Sequence, residues 1–159
     1  MDHALLALTK GLHSKVSVSD LPTLVKYRWH VSGATKKSYA ATLNRDGKSM
    51  YLHRFLMADQ LTEEMKFVDH INGDSLDNRR ENLRVCSRVE NNRNRKRPSG
   101  RYKGIVKRKD TGGNKWRAIV NIDGKQVYFG QYDTPEEAAR AYDKAAKELF
   151  GEFANLNFE

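Results

Sequence analysis

Two rhythms of apolar and polar positions run along the chain, and the C-terminal third shows them most clearly. Residues 102–107 and 115–122 alternate as strands do, and Asp123-Gly124 turns the second run into a third over residues 126–132. Thr134-Pro135-Glu136-Glu137 then opens a helix. Thr can accept from orphan backbone N–H groups, Pro sits where no donor is needed, and the acids face the positive end of the helix. Ala138, Ala141, Tyr142, Ala145 and Leu149 recur at helical spacing, and Gly151 supplies the stop. Strand parity puts Trp116, Ala118 and Val120 on the face meeting Ala138, Tyr142 and Ala145, with Val127 and Phe129 beside them. It turns Arg117, Ile119, Asn121, Gln126 and Tyr128 outward, together with Lys103 and Arg108.

Upstream the pattern is shorter-ranged. Up to about Ser49, strand-like runs mix with turns, and residues 39–43 and 50–53 flank an Asn44-Arg45-Asp46-Gly47 hairpin turn. A helical stretch follows over residues 53–61. Residues 68–71 read as a strand, Asn72-Gly73-Asp74 as a turn, and residues 82–85 as a second strand. Ser87-Arg88-Val89-Glu90 fits a capping box that starts a helix. Arg93 to Gly100 reads as a linker ending in Pro98-Ser99-Gly100. The expectation is an α+β chain. Residues 1–50 complete a first domain with its core at 51–94, residues 95–100 link, and 101–159 form a three-stranded antiparallel sheet on one helix.

Charge narrows the partners. Lys and Arg number 29 against 20 Asp and Glu, a net charge of +9. Nine basic residues and no acid lie between Asn92 and Lys109, among them Arg93, Arg95 and Arg97. So dense a positive run points to nucleic acid. The single cysteine, Cys86, rules out a disulfide framework or a four-cysteine zinc site. No apolar run is long enough to span a bilayer, and the N-terminus lacks signal-peptide features, so a cytoplasmic location is expected.

The candidate chemistry lies between the two rhythms. Asp69-His70 ends a strand, Asn82 follows twelve residues after His70, and Asn91 nine after that, one turn into the capped helix. A hard divalent cation takes few oxygen ligands from protein, and the Asp69 carboxylate and Asn91 amide could supply them. His70 is an imidazole able to take a proton from water near neutral pH. Spacing alone leaves open a turn-rich strand pair in which His70 merely caps a carbonyl.

The blocks Val68-Asp69-His70-Ile71-Asn72-Gly73-Asp74, residues 78–84 (Asn-Arg-Arg-Glu-Asn-Leu-Arg) and residues 90–94 (Glu-Asn-Asn-Arg-Asn) resemble the HNH nuclease motif of phage and group I intron homing endonucleases. The resemblance covers about residues 51–94. It implies a ββα-metal fold with His70 as general base, Asp69 and Asn91 as metal ligands, and Asn82 holding the loop by hydrogen bonds. Mg²⁺ is the implied cofactor, with Mn²⁺ equally suited to such ligands. His53-Arg54 stands where similar phage proteins carry a His-Arg pair, as an accessory to the site. The zinc-binding cysteine pairs of some relatives are absent.

From residue 99 to about 157 the chain resembles the plant ethylene-response-factor (APETALA-type) DNA-binding domain. The resemblance rests on Tyr102-Lys103-Gly104-Ile105, Lys115-Trp116-Arg117-Ala118 and the run from Tyr128 to Asp143. It implies a sheet laid in the major groove, with Lys103, Arg108, Arg117, Asn121, Gln126 and Tyr128 toward duplex DNA. Val106 and Ile119 stand where plant relatives often carry Arg and Glu, so the plant target sequence does not transfer. Trp116 reads as core. The expectation is thus a phage or intron homing endonuclease acting on double-stranded DNA as a monomer or homodimer. A non-cleaving DNA-binding regulator and an intron RNA-binding protein stand as the other classes.

Overall fold

The structure, a computed structural model, describes residues 3–33, 38–95, 102–110 and 113–158 of the 159. By internal contacts it divides into two compact units, Met1–Asn91 and Asn92–Glu159. Helices and sheets occur in both, and the class is α+β.

In the first unit a hairpin of β1 (His3–Ala7) and β2 (His13–Ser17) leads to the single-turn α1 (Leu21–Leu24). β3 (His30–Ser32), β4 (Tyr39–Leu43) and β5 (Ser49–Tyr51) form an antiparallel meander. Asn44 builds the turn between β4 and β5, its Oδ1 accepting from the backbone of Asp46 at 3.0 Å and Lys48 at 2.8 Å. Gly47 takes the positive φ that the turn demands. The following helix is shorter and earlier than its periodicity suggests. α2 spans Leu52–Leu56, so that His53 is helical, and a 3₁₀ turn replaces the rest.

β6 (Phe67–His70) pairs antiparallel with β8 (Leu83–Cys86), with Asp69 opposite Arg84 and His70 opposite Leu83. Between them lies β7 (Asp77–Asn78), two residues that pair parallel with Lys15 and Val16 of β2. α3 (Arg88–Arg93) follows, capped by reciprocal bonds between Ser87 and Glu90. Leu6, Val16, Leu24, Trp29, Leu52, Leu56, Val68 and Leu83 share one core, so the N-terminal hairpin, the meander and the β6–β8 pair are packed together.

The second unit carries β9 (Ile105–Asp110), β10 (Gly113–Ile122) and β11 (Lys125–Tyr132) in the order β11-β10-β9, both pairs antiparallel. α4 (Pro135–Phe150) has a complete capping box from Thr134 and Glu137. Its Ala138, Ala139, Tyr142, Ala145 and Ala146 are buried, and Ala118 and Val120 of β10 join the same core cluster. Two expectations are corrected. Leu149 is 44% exposed although it continues the stripe of Tyr142 and Ala145, because it stands in the last turn of α4. Trp116 is half-buried outside the core, with Lys107 Nζ 5.7 Å from its ring centroid. Val127 lies opposite the buried Val120, on the face expected of it, and is 37% exposed.

Candidate active site and nucleic-acid interface

Asp69 and His70 are neighbours on β6, so their side chains leave opposite faces of the strand. Their partners differ accordingly. Both are buried, each 7% exposed. The Asp69 carboxylate forms an ion pair with Arg84 directly across the ladder, Nη2 at 2.9 Å and Nε at 3.2 Å, both on Oδ2. Cys86 is nearby, and its thiol is pushed up to about 11 by burial and by the Asp69 and Glu90 carboxylates, with the Asn91 backbone N–H acting the other way. The Asp69 and Glu90 carboxylates and the backbone at Asn91 thus all act on the Cys86 thiol. Asn91 is half-buried, its own N–H donating to Ser87 O at 3.1 Å.

His70 looks elsewhere. Its Nε2 is 3.2 Å from Asn78 Oδ1. His53 of α2 meets it edge-on, ring centroids 5.0 Å apart, and itself stacks on Tyr51 at 5.6 Å. Tyr39 flanks both imidazoles, at 5.7 Å from His53 and 6.4 Å from His70. His53 thus belongs to the surroundings of His70. Arg54 does not: its Nη1 donates to Lys66 O at 2.8 Å, which ties down the stretch before β6.

Asn82, 5% exposed, fastens the loop between the strands. Its Oδ1 accepts from Asn72 N at 3.0 Å, while Nδ2 donates to Asn72 Oδ1 at 3.1 Å and Asp77 O at 2.7 Å. Asp77 adds a second clamp. Arg79 donates to both of its oxygens and Asn72 to one, and the Arg79 guanidinium holds its carboxyl below the ordinary value. Asn78, Ser14 and Tyr39 escape a reading of the sequence. Asn78 lies only eight residues from His70, but its anchor Ser14 is 64 residues away, and no local pattern signals that.

Of the oxygen donors expected for a divalent cation, the Asp69 carboxylate stands on β6 and the Asn91 amide on α3. Among the described residues no group of three or more His, Cys, Asp or Glu gathers to hold one. The donor chemistry nonetheless fits a hard cation that binds through one or two carboxylates and fills its remaining positions with water and phosphate. Such a cation would share the Asp69 carboxylate with Arg84, whose Nε and Nη2 both lie on Oδ2.

On the second unit the ladder registers Arg117 against Val106 and Gln131, Lys115 against Arg108, Ile119 against Tyr128, and Asn121 against Gln126. Directly opposed residues share a face. Arg108, Arg117, Asn121, Gln126 and Tyr128 therefore line the face away from the buried Ala118 and Val120. Tyr128 is 53% exposed, and the Arg117 guanidinium lies 5.3 Å from its ring centroid. Phe129 packs on the core as alternation from Val127 requires, and a bulge between Arg117 and Ile119, with Gly130 at φ 123, brings Tyr132 to the same face.

Lys103 corrects the outward set. It precedes β9, and its ammonium donates to the backbone carbonyls of Arg93 and Arg95, the latter at 3.0 Å. Arg93 lays its guanidinium over Phe150, 4.2 Å from the ring centroid. Arg95 is exposed. Arg97 lies outside the described residues.

Comparison with known proteins follows the same division. Residues 62–93 match the family described as HNH endonuclease, and residues 100–152 match the AP2 domain. An uncharacterized HNH endonuclease of Acanthamoeba polyphaga mimivirus is 33% identical over 156 residues, covering 96% of this chain and 79% of the viral protein. The chain belongs to the HNH endonuclease family. An AP2-like ethylene-responsive transcription factor of Arabidopsis thaliana is 43% identical over 60 residues, 38% of this chain but only 12% of the plant protein. APETALA2-like protein 2 of Oryza sativa subsp. indica is also 43% identical over 60 residues, taking in 13% of its length. The chain is thus an HNH nuclease sequence fused to an AP2 domain. Among the described residues no helix is long and apolar enough to cross a membrane.

Proposed function

We propose that this HNH family member is a divalent-metal-dependent endonuclease hydrolysing phosphodiester bonds in duplex DNA. In this reading Asp69, His70 and Asn91 carry the reaction, and residues 101–159 hold the DNA. The observation that carries it is the buried Asp69-His70 pair within an HNH match, in one basic chain with an AP2 domain. A site that acts on DNA and a module suited to bind DNA make sense together.

In this scheme Asp69 and Asn91 would hold the cation, Mg²⁺ with Mn²⁺ as a substitute, and when bound it would supply stabilisation of negative charge on the scissile phosphate. β6, β8 and α3 serve as the ββα-metal core. His70 takes the proton from the attacking water as its oxygen bonds to phosphorus, and the bond to the leaving sugar oxygen breaks. Asn82 keeps the intervening loop in place. Residues 1–50 complete this domain around the core at 51–94, residues 95–100 link, and Arg108, Arg117, Asn121, Gln126 and Tyr128 meet phosphates and base edges. A homing role in a phage or mobile intron is part of the proposal, supported by the same fusion. With one site per chain, a monomer nicks, and a double-strand break takes two chains or two events.

The test is incubation of supercoiled plasmid with Mg²⁺, comparing the parent with His70→Ala. The parent should give nicked or linear DNA and EDTA should stop it, while the variant binds DNA but cleaves roughly 10²–10⁴-fold more slowly. A parent that binds and never cuts would favour the second reading, a non-cleaving DNA-binding regulator. The Arg84 ion pair favours that reading, because it already balances the Asp69 charge.

A further inference from the structure

Asn78 is fully buried, and each of its side-chain hydrogen bonds has a direction that can be worked out. The hydrogen-bonded series begins at the Leu76 carbonyl, which can only accept. Ser14 Oγ is 2.9 Å from that carbonyl and 3.4 Å from Lys15 O, so its single hydrogen is committed to a backbone oxygen. Ser14 Oγ must then accept from Asn78, 2.8 Å away, and the amide end facing it is the NH₂ group. Ser75 O, 3.4 Å from the same nitrogen, is another group that can only accept. The Asn78 carbonyl oxygen therefore points at His70 Nε2, 3.2 Å away. An amide oxygen cannot donate, so the hydrogen between them sits on Nε2. In a neutral imidazole the lone pair is then on Nδ1.

We infer that Asn78 is a positioning residue that holds His70 as its Nε2–H tautomer and makes Nδ1 the proton-accepting atom. The role in catalysis rests on the reading of His70 as general base, whereas the tautomer does not. β7 provides the mechanical basis. Its two residues pair with β2, which keeps Asn78 against Ser14 and registers the His70 ring from the N-terminal hairpin. Residues 1–50 thereby gain a chemical role, since Ser14 orients Asn78 and Asn78 orients His70.

Nitrogen-15 NMR of the intact chain reads the tautomer without any cleavage, the His70 signals being assigned by their loss in His70→Gln. The parent should show a protonated Nε2 and an unprotonated Nδ1 in neutral His70, and a protonated Nδ1 overturns the inference. Asn78→Leu removes the acceptor. A folded Asn78→Leu chain should lose the tautomer preference and roughly 10–100-fold in kcat with KM little changed, a scale typical of partners that orient a site histidine. Asn78→Asp keeps an oxygen toward Nε2, and should keep the tautomer and recover most of the rate. If Asn78→Leu retains both tautomer and rate, Asn78 positions nothing. A parent with the expected tautomer and no cleavage activity would instead sink the catalytic reading of His70.

Discussion

At the residue scale, the loop that precedes β8 is held by groups whose burial makes their hydrogen bonds obligatory. Asp77 is 2% exposed, yet its carboxyl is kept below its ordinary 3.8, first by the hydrogen bonds from Arg79 and against the effect of burial. A depressed folded value means that the group stabilises the fold at pH above 3.8 and loses this contribution as pH falls through the lower, folded value. Thermal midpoints of the parent should therefore drop as pH is lowered below 3.8. Arg79→Leu should lower the midpoint at neutral pH and shrink that acid-dependent drop. Asn82 gives a cleaner measure. Asn82→Ala deprives the Asn72 N–H and the Asp77 carbonyl of partners, at about 1–3 kcal/mol by urea unfolding. Cleavage should fall with it because the loop loses its fastening.

At the element scale, the second unit depends on one close approach. Gly104 has φ +71, and a Cβ there would lie 1.8 Å from Tyr142 Cδ2, inside the ring that α4 presses against the start of β9. Gly104→Ala should thus destabilise this unit strongly, far beyond Thr134→Ala, which removes one helix cap worth about 1 kcal/mol. Far-ultraviolet circular dichroism melts of the two variants compare them directly. Much of this architecture is legible in the sequence, for physical reasons. Thr134, Pro135 and Glu137 act on backbone groups within a few residues, and alternation over β10 and β11 reports a face locally. Legibility fails where distant parts decide. Leu149 fits both the helical period and the buried stripe, but it stands in the last turn of α4 and is left exposed. β7 is two residues long and has no period to read, yet it places Asn78. Asp69, His70, Asn82 and Asn91 stand out through the motif resemblance of the blocks that carry them, since spacing alone leaves a plain strand pair open. The partners Arg84, Asn78 and Ser14 come from cross-strand register and from pairing across 62 to 64 residues.

At the scale of the whole molecule, a net charge of +9 and the proposed division between a cutting site and a holding face lead to a prediction about salt and catalysis together. Binding through six to ten phosphate contacts weakens by roughly 10³–10⁵ between about 50 and 200 mM salt, because each contact releases condensed counterions. Arg117 sits on the outer face of the sheet beside Tyr128 and Gln131, where it can reach phosphate or a base edge. Arg117→Ala should weaken DNA binding, and if Arg117 meets phosphate the logarithmic salt slope should fall by about one. Such a variant should still cut at saturating protein, since Asp69, His70 and Asn91 are untouched. His70→Ala should do the opposite, keeping both the affinity and the salt slope while losing cleavage. Electrophoretic binding and plasmid nicking across a salt series measure both quantities on the same samples. If Arg117→Ala abolished cleavage even when all DNA is bound, or His70→Ala lost affinity, holding and cutting would not be divided between the two units. The fusion would then have to act as a single site spread over both, with the sheet face taking part in the reaction itself.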